Sequence, residues 1–211
     1  MKKVILFVMA MALMMPVAVN AQSKELSKLY KKEVKKKIKE FDKEGWKLFG
    51  SSRSLEVALM KHYQKLDDLG DNGAEIIGVA SQFKSKNVGK QMATNNACNQ
   101  YARNCGSHVK GRVVSDMKGD AINADGEMDK FYAAYEAQVE KEIKGEMHES
   151  FSVIRDLGNN MFEMQTFFII DQDAAAQARI RASENAIKES AAAQKYASKV
   201  SEFIREGFDN E

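Results

Sequence analysis

The sequence predicts an α+β domain: an antiparallel sheet of three to four strands packed on long helices, with an N-terminal amphipathic helix. Two observations predict it. Apolar residues recur at helical spacing in long stretches and alternate in short ones, at 74–83, 147–153 and 162–170. After the first helix the order reads α, β, α, α, β, β, α, so strand runs and helix runs stay separate. That order places the helices on one face of the sheet. No repeat or low-complexity linker divides the chain.

Residues 1–21 stand apart. Lys2 and Lys3 form a positive start, and Val4 to Met15 is an apolar run of twelve residues. Val19 and Ala21 put small side chains three and one before a cut in "PVAVNAQSK". This is the pattern of a secretory signal peptide cleaved after Ala21. The run is shorter than the about 20 residues that span a bilayer. The expected location is therefore periplasmic or secreted and soluble, with a retained N-terminal anchor as the alternative. The remainder divides into a basic amphipathic helix at 22–44 and a single α+β domain at 45–211.

The helix at 23–44 carries nine lysines against five acids. Leu26, Leu29, Tyr30, Val34, Ile38 and Phe41 fall on one stripe. The first reading is a solvated helix that packs this stripe on the domain. The second is a helix lying on an anionic membrane surface or docking a partner, which the interleaved glutamates disfavour.

"WKLF", between Gly45 and Gly50, reads as a short strand. A helix follows at 55–66, with Ser52 or Ser54 as its cap and Glu56 in its first turn. "DDLGDNG" is a loop. "AEIIGVASQF" is a strand with Ile77, Val79 and Phe83 on one face and Ile76 and Ala80 on the other. A helix starts near Asn87 and runs to about Cys105 or beyond. Residues 115–127 read as a polar loop, and 128–144 as a helix with Phe131, Tyr132, Tyr135, Val139 and Ile143 on one side. A hairpin comes next. Met147, Phe151 and Val153 alternate in one arm, and Phe162, Met164, Phe168 and Ile170 in the other. "LGNN" turns it, because Gly and Asn tolerate positive φ. Asp171 or Asp173 caps a last Ala-rich helix, 174–205. At about 1.5 Å per residue it would reach about 48 Å, longer than a small sheet, so one end overhangs or bends.

The chemistry-bearing residues are few. Cys98 and Cys105 are the only cysteines, and His108 follows them. With Tyr101, Ala102 and Val109 the cysteines form an apolar helix stripe. On a straight helix, positions seven apart lie about 10.5 Å apart, beyond the roughly 7 Å a disulfide allows. Two buried thiols are preferred to a disulfide or a metal site, although a secretory route favours oxidation. Cys105 and His108 could share a metal, but His62 and His148 are remote and zinc needs three or four ligands. "DLGDNGAE" and "DAINADGEMD" lack calcium-loop spacing. "FGSSRS" could hold an anion with Arg53, though ordinary capping explains it. Glu146, Glu149 and Glu163 sit on the hairpin arms, where a half-solvated face is the simpler account. No catalytic, cofactor-binding or metal-ligating residue is assigned, and no cofactor is expected. Removing the two leader lysines from a formal charge of +2 leaves zero, so no nucleic acid partner is expected.

One unit resembles a known family. "EIIGVASQF" is followed by "NVGKQMATNNACNQYARNCGSHVKGRV", with Ala93, Ala97 and Ala102 as small residues along a helix. Downstream come the hairpin and the Ala-rich helix. This resembles the LPP20-type lipoproteins of bacterial envelopes and the related N-terminal domain of the flagellar assembly protein T. It is closer still to secreted bacterial proteins of unknown function sharing "GWK.FGSS.SLEVAL..HY" and a "KYA.KVSEF.REGF" ending. The broad resemblance covers about residues 74–205. LPP20-type proteins carry a lipidated cysteine after the leader, where this chain has Gln22. The resemblance implies a small sheet against a long helix, a role in envelope assembly or surface interaction, and no catalytic residues.

The functional expectation is a non-enzymatic, envelope-associated binding or assembly module whose partner is a protein or other envelope component. A membrane-surface protein using the N-terminal helix, and a small hydrolase at the hairpin face or the Gly50–Arg53 loop, are the alternatives.

Overall fold

Lysine-rich helix α1 (Met15–Glu44) ends where Gly45 turns to φ 79°, a backbone state glycine adopts without strain. The turn delivers Trp46 into the core, where it is 3% exposed. The computed structural model describes residues 15–116, 125–195 and 197–205. The first part of the predicted leader (1–14), most of the predicted polar loop (117–124) and the "EGF" of the terminal motif lie outside these residues. The remaining elements are β1 (Lys47–Phe49), α2 (Leu55–Leu69), β2 (Gly73–Phe83), α3 (Lys86–Asp116) and α4 (Asp125–Ile143), then β3 (Met147–Gly158), β4 (Met161–Asp171), α5 (Gln172–Ile187), α6 (Ala191–Lys195) and α7 (Ala197–Arg205). No described helix is long and apolar enough to cross a membrane.

The strands form one antiparallel sheet in the order β1-β3-β4-β2. The α+β class is as expected, but the arrangement of layers is not: helices cover both faces. Helices α1 and α2 cover one face through Val34, Phe41, Leu59, Phe151, Val153 and Phe167. Helix α3 covers the other, backed by α4, α5 and α7. Phe151 and Phe167 stack at 4.3 Å between centroids, and Phe41 meets Phe167 edge-on.

Two bulges explain why alternation misplaced residues. Ala80 pairs with Met164 but Phe83 with Phe162, so β2 holds one extra residue there, and Gln82 takes φ 58°. Phe83 therefore joins Ala80, Ala93 and Met164, opposite the face expected for it. Likewise Glu149 pairs with Phe168 and Phe151 with Phe167, leaving Ser150 extra. Met147 then packs with α3 while Phe151 and Val153 pack with α2. The second hairpin arm alternates as expected. Its turn residues Asn159 and Asn160 sit at φ 54° and 58°, and Gly158 at 83°.

The caps resolve to Ser54, whose Oγ accepts from Val57 N, and Asp171, whose Oδ1 accepts from Asp173 N and Ala174 N. The expected continuous last helix is broken. It leaves helical geometry at 188–190, and Ser190 Oγ accepts from Ala193 N to start α6. The break lets Val200, Phe203 and Ile204 of α7 fold back into the α3 cluster rather than overhang it.

Candidate binding groove along the outer strand

Strand β2 ends the sheet, and α3 lies against it. The approach is closest at Gly78, where a Cβ would stand 1.9 Å from the Ala93 carbonyl oxygen and 3.0 Å from the Ala97 methyl. Ala93 and Ala97, two of the small residues flagged on α3, thus face the strand. Farther along the helix the side chains are larger and strand and helix part. The space between them is an open groove of about 620 Å³, lined by Ala74, Ile76, Tyr101, Asn104, Ser107 and His108 among others. A second depression of about 260 Å³ runs beside it along α3, past Asn96, Asn99, Gln100 and Arg103, and shares Asn104.

Beneath the groove lies a buried polar cluster. Arg179 of α5 is 4% exposed, and its Nη1 donates to the Tyr101 hydroxyl at 2.5 Å. Burial pushes Tyr101 up to about 12. Tyr135 of α4 is fully buried, and its hydroxyl has no hydrogen-bond partner among the described residues. Burial raises it well above the ordinary tyrosine range. Both thiols are free and buried: Cys98 Sγ lies 3.5 Å from Met147 Sδ, and burial raises Cys105 to about 12. A thiol in that state is protonated at neutral pH and is not a nucleophile. Cys105 faces Tyr101, Tyr135 and Arg179 rather than the sheet alone.

The other residues singled out in the sequence are not brought together. His108 lines the groove, but His148 is exposed on β3. His62 is 1% exposed on the opposite face of the sheet, boxed in by Tyr63, Phe151 and Phe167. Its Nε2 lies 2.5 Å from Glu75 Oε2, off the line of an aligned hydrogen bond, so the pair is a close polar contact. The carboxylates of the hairpin region each take a separate cation. Glu163 holds Arg155 at 2.6 Å, Glu149 holds Lys90 at 2.9 Å, and Glu146 shares Arg181 with Glu142. Arg155 also lies over the Trp46 ring at 4.6 Å. Arg53 is exposed, and Ser51 accepts from its backbone N–H in an ordinary turn. No group of three or more His, Cys, Asp or Glu gathers into a metal site among the described residues.

On α1, Val34 and Phe41 are buried against α2 and the sheet, and Tyr30 stacks on Tyr63. Lys31, Lys32, Lys35, Lys36, Lys39 and Lys43 are exposed.

Sequence reasoning missed the groove and Arg179. A signal for Arg179 existed: Ala175, Ala178, Ala182 and Ala186 mark the buried stripe of α5, and position 179 falls on it. The groove had no local signal, because its two walls are separated in sequence. The chain matches no protein-family model, no curated protein and no solved structure.

Proposed function

We propose that the protein is a non-enzymatic, envelope-associated binding module, periplasmic or secreted, and that the groove between β2 and α3 is its binding surface. The observation that carries this reading is the chemistry of the groove. Its walls offer amide, hydroxyl and imidazole groups, which bind by hydrogen bonding. Cys105, which lies beside them, is a thiol held protonated by burial. The leader-like start and the resemblance to envelope proteins support the location.

A second reading, contact with an anionic membrane surface, draws on the exposed lysines of α1. The buried stripe of α1 leaves that contact to charge, at about 1 kcal/mol for each lysine near the surface.

Photo-crosslinking residues placed at Asn104 and at Lys36 in intact cells test both readings. The groove reading expects a discrete protein adduct at Asn104 that is absent at Lys36. Lipid adducts at Lys36 with none of any kind at Asn104 would replace it with the second.

A further inference from the structure

We infer that the protein lies on an anionic lipid surface along one lysine row of α1 while the groove faces away from that surface, so that both are occupied at once; the second half rests on the groove reading. Between Lys31 and Glu44 the sequence mixes lysines with acids, but the fold sorts them. Lys32, Lys36, Lys39 and Lys43 recur at steps of four, three and four, so they share one face of the helix. All four are exposed, and none makes an ion pair or hydrogen bond among the described residues. Lys36 and Lys43 each stand two residues after a buried one, Val34 and Phe41, which is about 200° round the helix. The row therefore points straight away from the sheet. At about 1.5 Å per residue it runs about 16 Å.

The glutamates lie on another flank. Glu33, Glu40 and Glu44 follow one another at steps of seven and four. Burial, then the charges of Glu75, Glu33 and Glu40, raise Tyr63 of α2, so both of these α1 acids lie toward α2. Glu40 also pairs with Lys37 at 3.8 Å, and Glu44 accepts from Trp46 Nε1 at 3.0 Å. Asp42, seven residues after Lys35, is the one acid on the opposite flank. The acids that interrupt the lysines in sequence thus leave the outward face positive.

The make-up of that face selects its partner. It is built of lysines alone, and α1 contains no arginine. An arginine fork suits phosphates or carboxylates held in fixed positions. A lysine ammonium is a point charge on a flexible stem, which suits headgroups free to move sideways. No aromatic ring between Lys31 and Glu44 is exposed, so none is offered to a nucleic acid base. The apolar stripe is turned inward, so contact is with headgroups and without insertion. Helices α1 and α2 cover one face of the sheet and α3 the other. A bilayer against α1 leaves the groove on the α3 side open to its own partner.

The test is co-sedimentation of the full chain with phosphatidylcholine vesicles, with and without phosphatidylglycerol. The readout is the gain from the anionic lipid, which cancels binding by the apolar start of the chain. A gain that molar salt removes is expected. Each lysine near such a surface is worth about fivefold, so Lys36→Gln with Lys39→Gln should cut the gain about 25-fold. Lys141→Gln with Lys144→Gln, an equal charge change at exposed positions off α1, should leave it unchanged. Urea midpoints of both variants should match the parent. On anionic vesicles a photo-crosslinking residue at Lys35, which leaves the row intact, should label lipid, and one at Asn104 should not. No gain, or an equal effect of the two variants, overturns the lipid contact. Capture of heparin or DNA by the row in place of vesicles does the same. Lipid labelling from Asn104 overturns the orientation. The groove reading is tested separately, by the protein adduct at Asn104 in cells.

Discussion

Cys105 is a small group with a large electrostatic consequence. It lies with Tyr101, Tyr135 and Arg179 among α3, α4 and α5. Burial raises the thiol from 9.0 to about 12 and Tyr101 from 10.0 to about 12. In the unfolded chain both ionise near their ordinary values, while in the folded chain they stay neutral. A raised value favours the folded state below the unfolded pKa, and that advantage is lost as pH rises toward the folded one. Stability should therefore hold to about pH 9 and fall between pH 9 and 12, read as the urea midpoint. Cys105→Ala should make the fall between pH 9 and 10 shallower, leaving its onset to Cys98, whose thiol burial also raises, and its continuation to the tyrosines. A midpoint flat from pH 8 to 11 would contradict this account.

At the scale of elements, the contact between β2 and α3 hinges on one missing side chain. A Cβ at Gly78 meets backbone, which cannot swing aside, so Gly78→Ala should destabilise the protein by about 3 kcal/mol. Gly111 gives the opposite sign. It sits inside α3 with nothing within 4 Å of a built Cβ, so Gly111→Ala should stabilise by about 0.5–1 kcal/mol through helix propensity. Urea denaturation of the two variants reads both signs in one experiment. The hairpin turn is a third local device. Asn159 and Asn160 occupy the left-handed region, where a β-branched residue is strained. Asn160→Val should cost about 1–2 kcal/mol.

For the whole molecule, the sheet is the middle of three layers, and α1 is part of one outer layer rather than an appendage. Phe41 is 4% exposed against Phe167, and Lys37 Nζ lies over its ring at 5.2 Å. Phe41→Ala should cost about 3 kcal/mol and lower a single cooperative transition. Lys36→Gln, at an exposed position, should leave that transition within about 0.5 kcal/mol. Two separate transitions in the Phe41 variant would mean that α1 docks as an independent unit.

The sequence by itself determined the kinds of element and several of their ends. Helical spacing, strand alternation, the "LGNN" turn and the Ser and Asp caps are local, set by a few neighbouring residues and their allowed dihedrals. The buried stripe of α3, including both cysteines, was legible for the same reason. The tertiary structure alone decided which way side chains point beyond each bulge, because one extra residue in a strand inverts the two-residue alternation. It also decided that both sheet faces are covered, and that the last helix breaks at 188–190 so that α7 can return to α3. The groove belongs to this second group. Its floor joins Tyr101 to Arg179 across 78 residues, and its walls are a strand edge and a helix that touch at Gly78 and part beyond it. No periodicity encodes that separation, because it is set by side-chain volumes on two elements that meet only when the chain has folded.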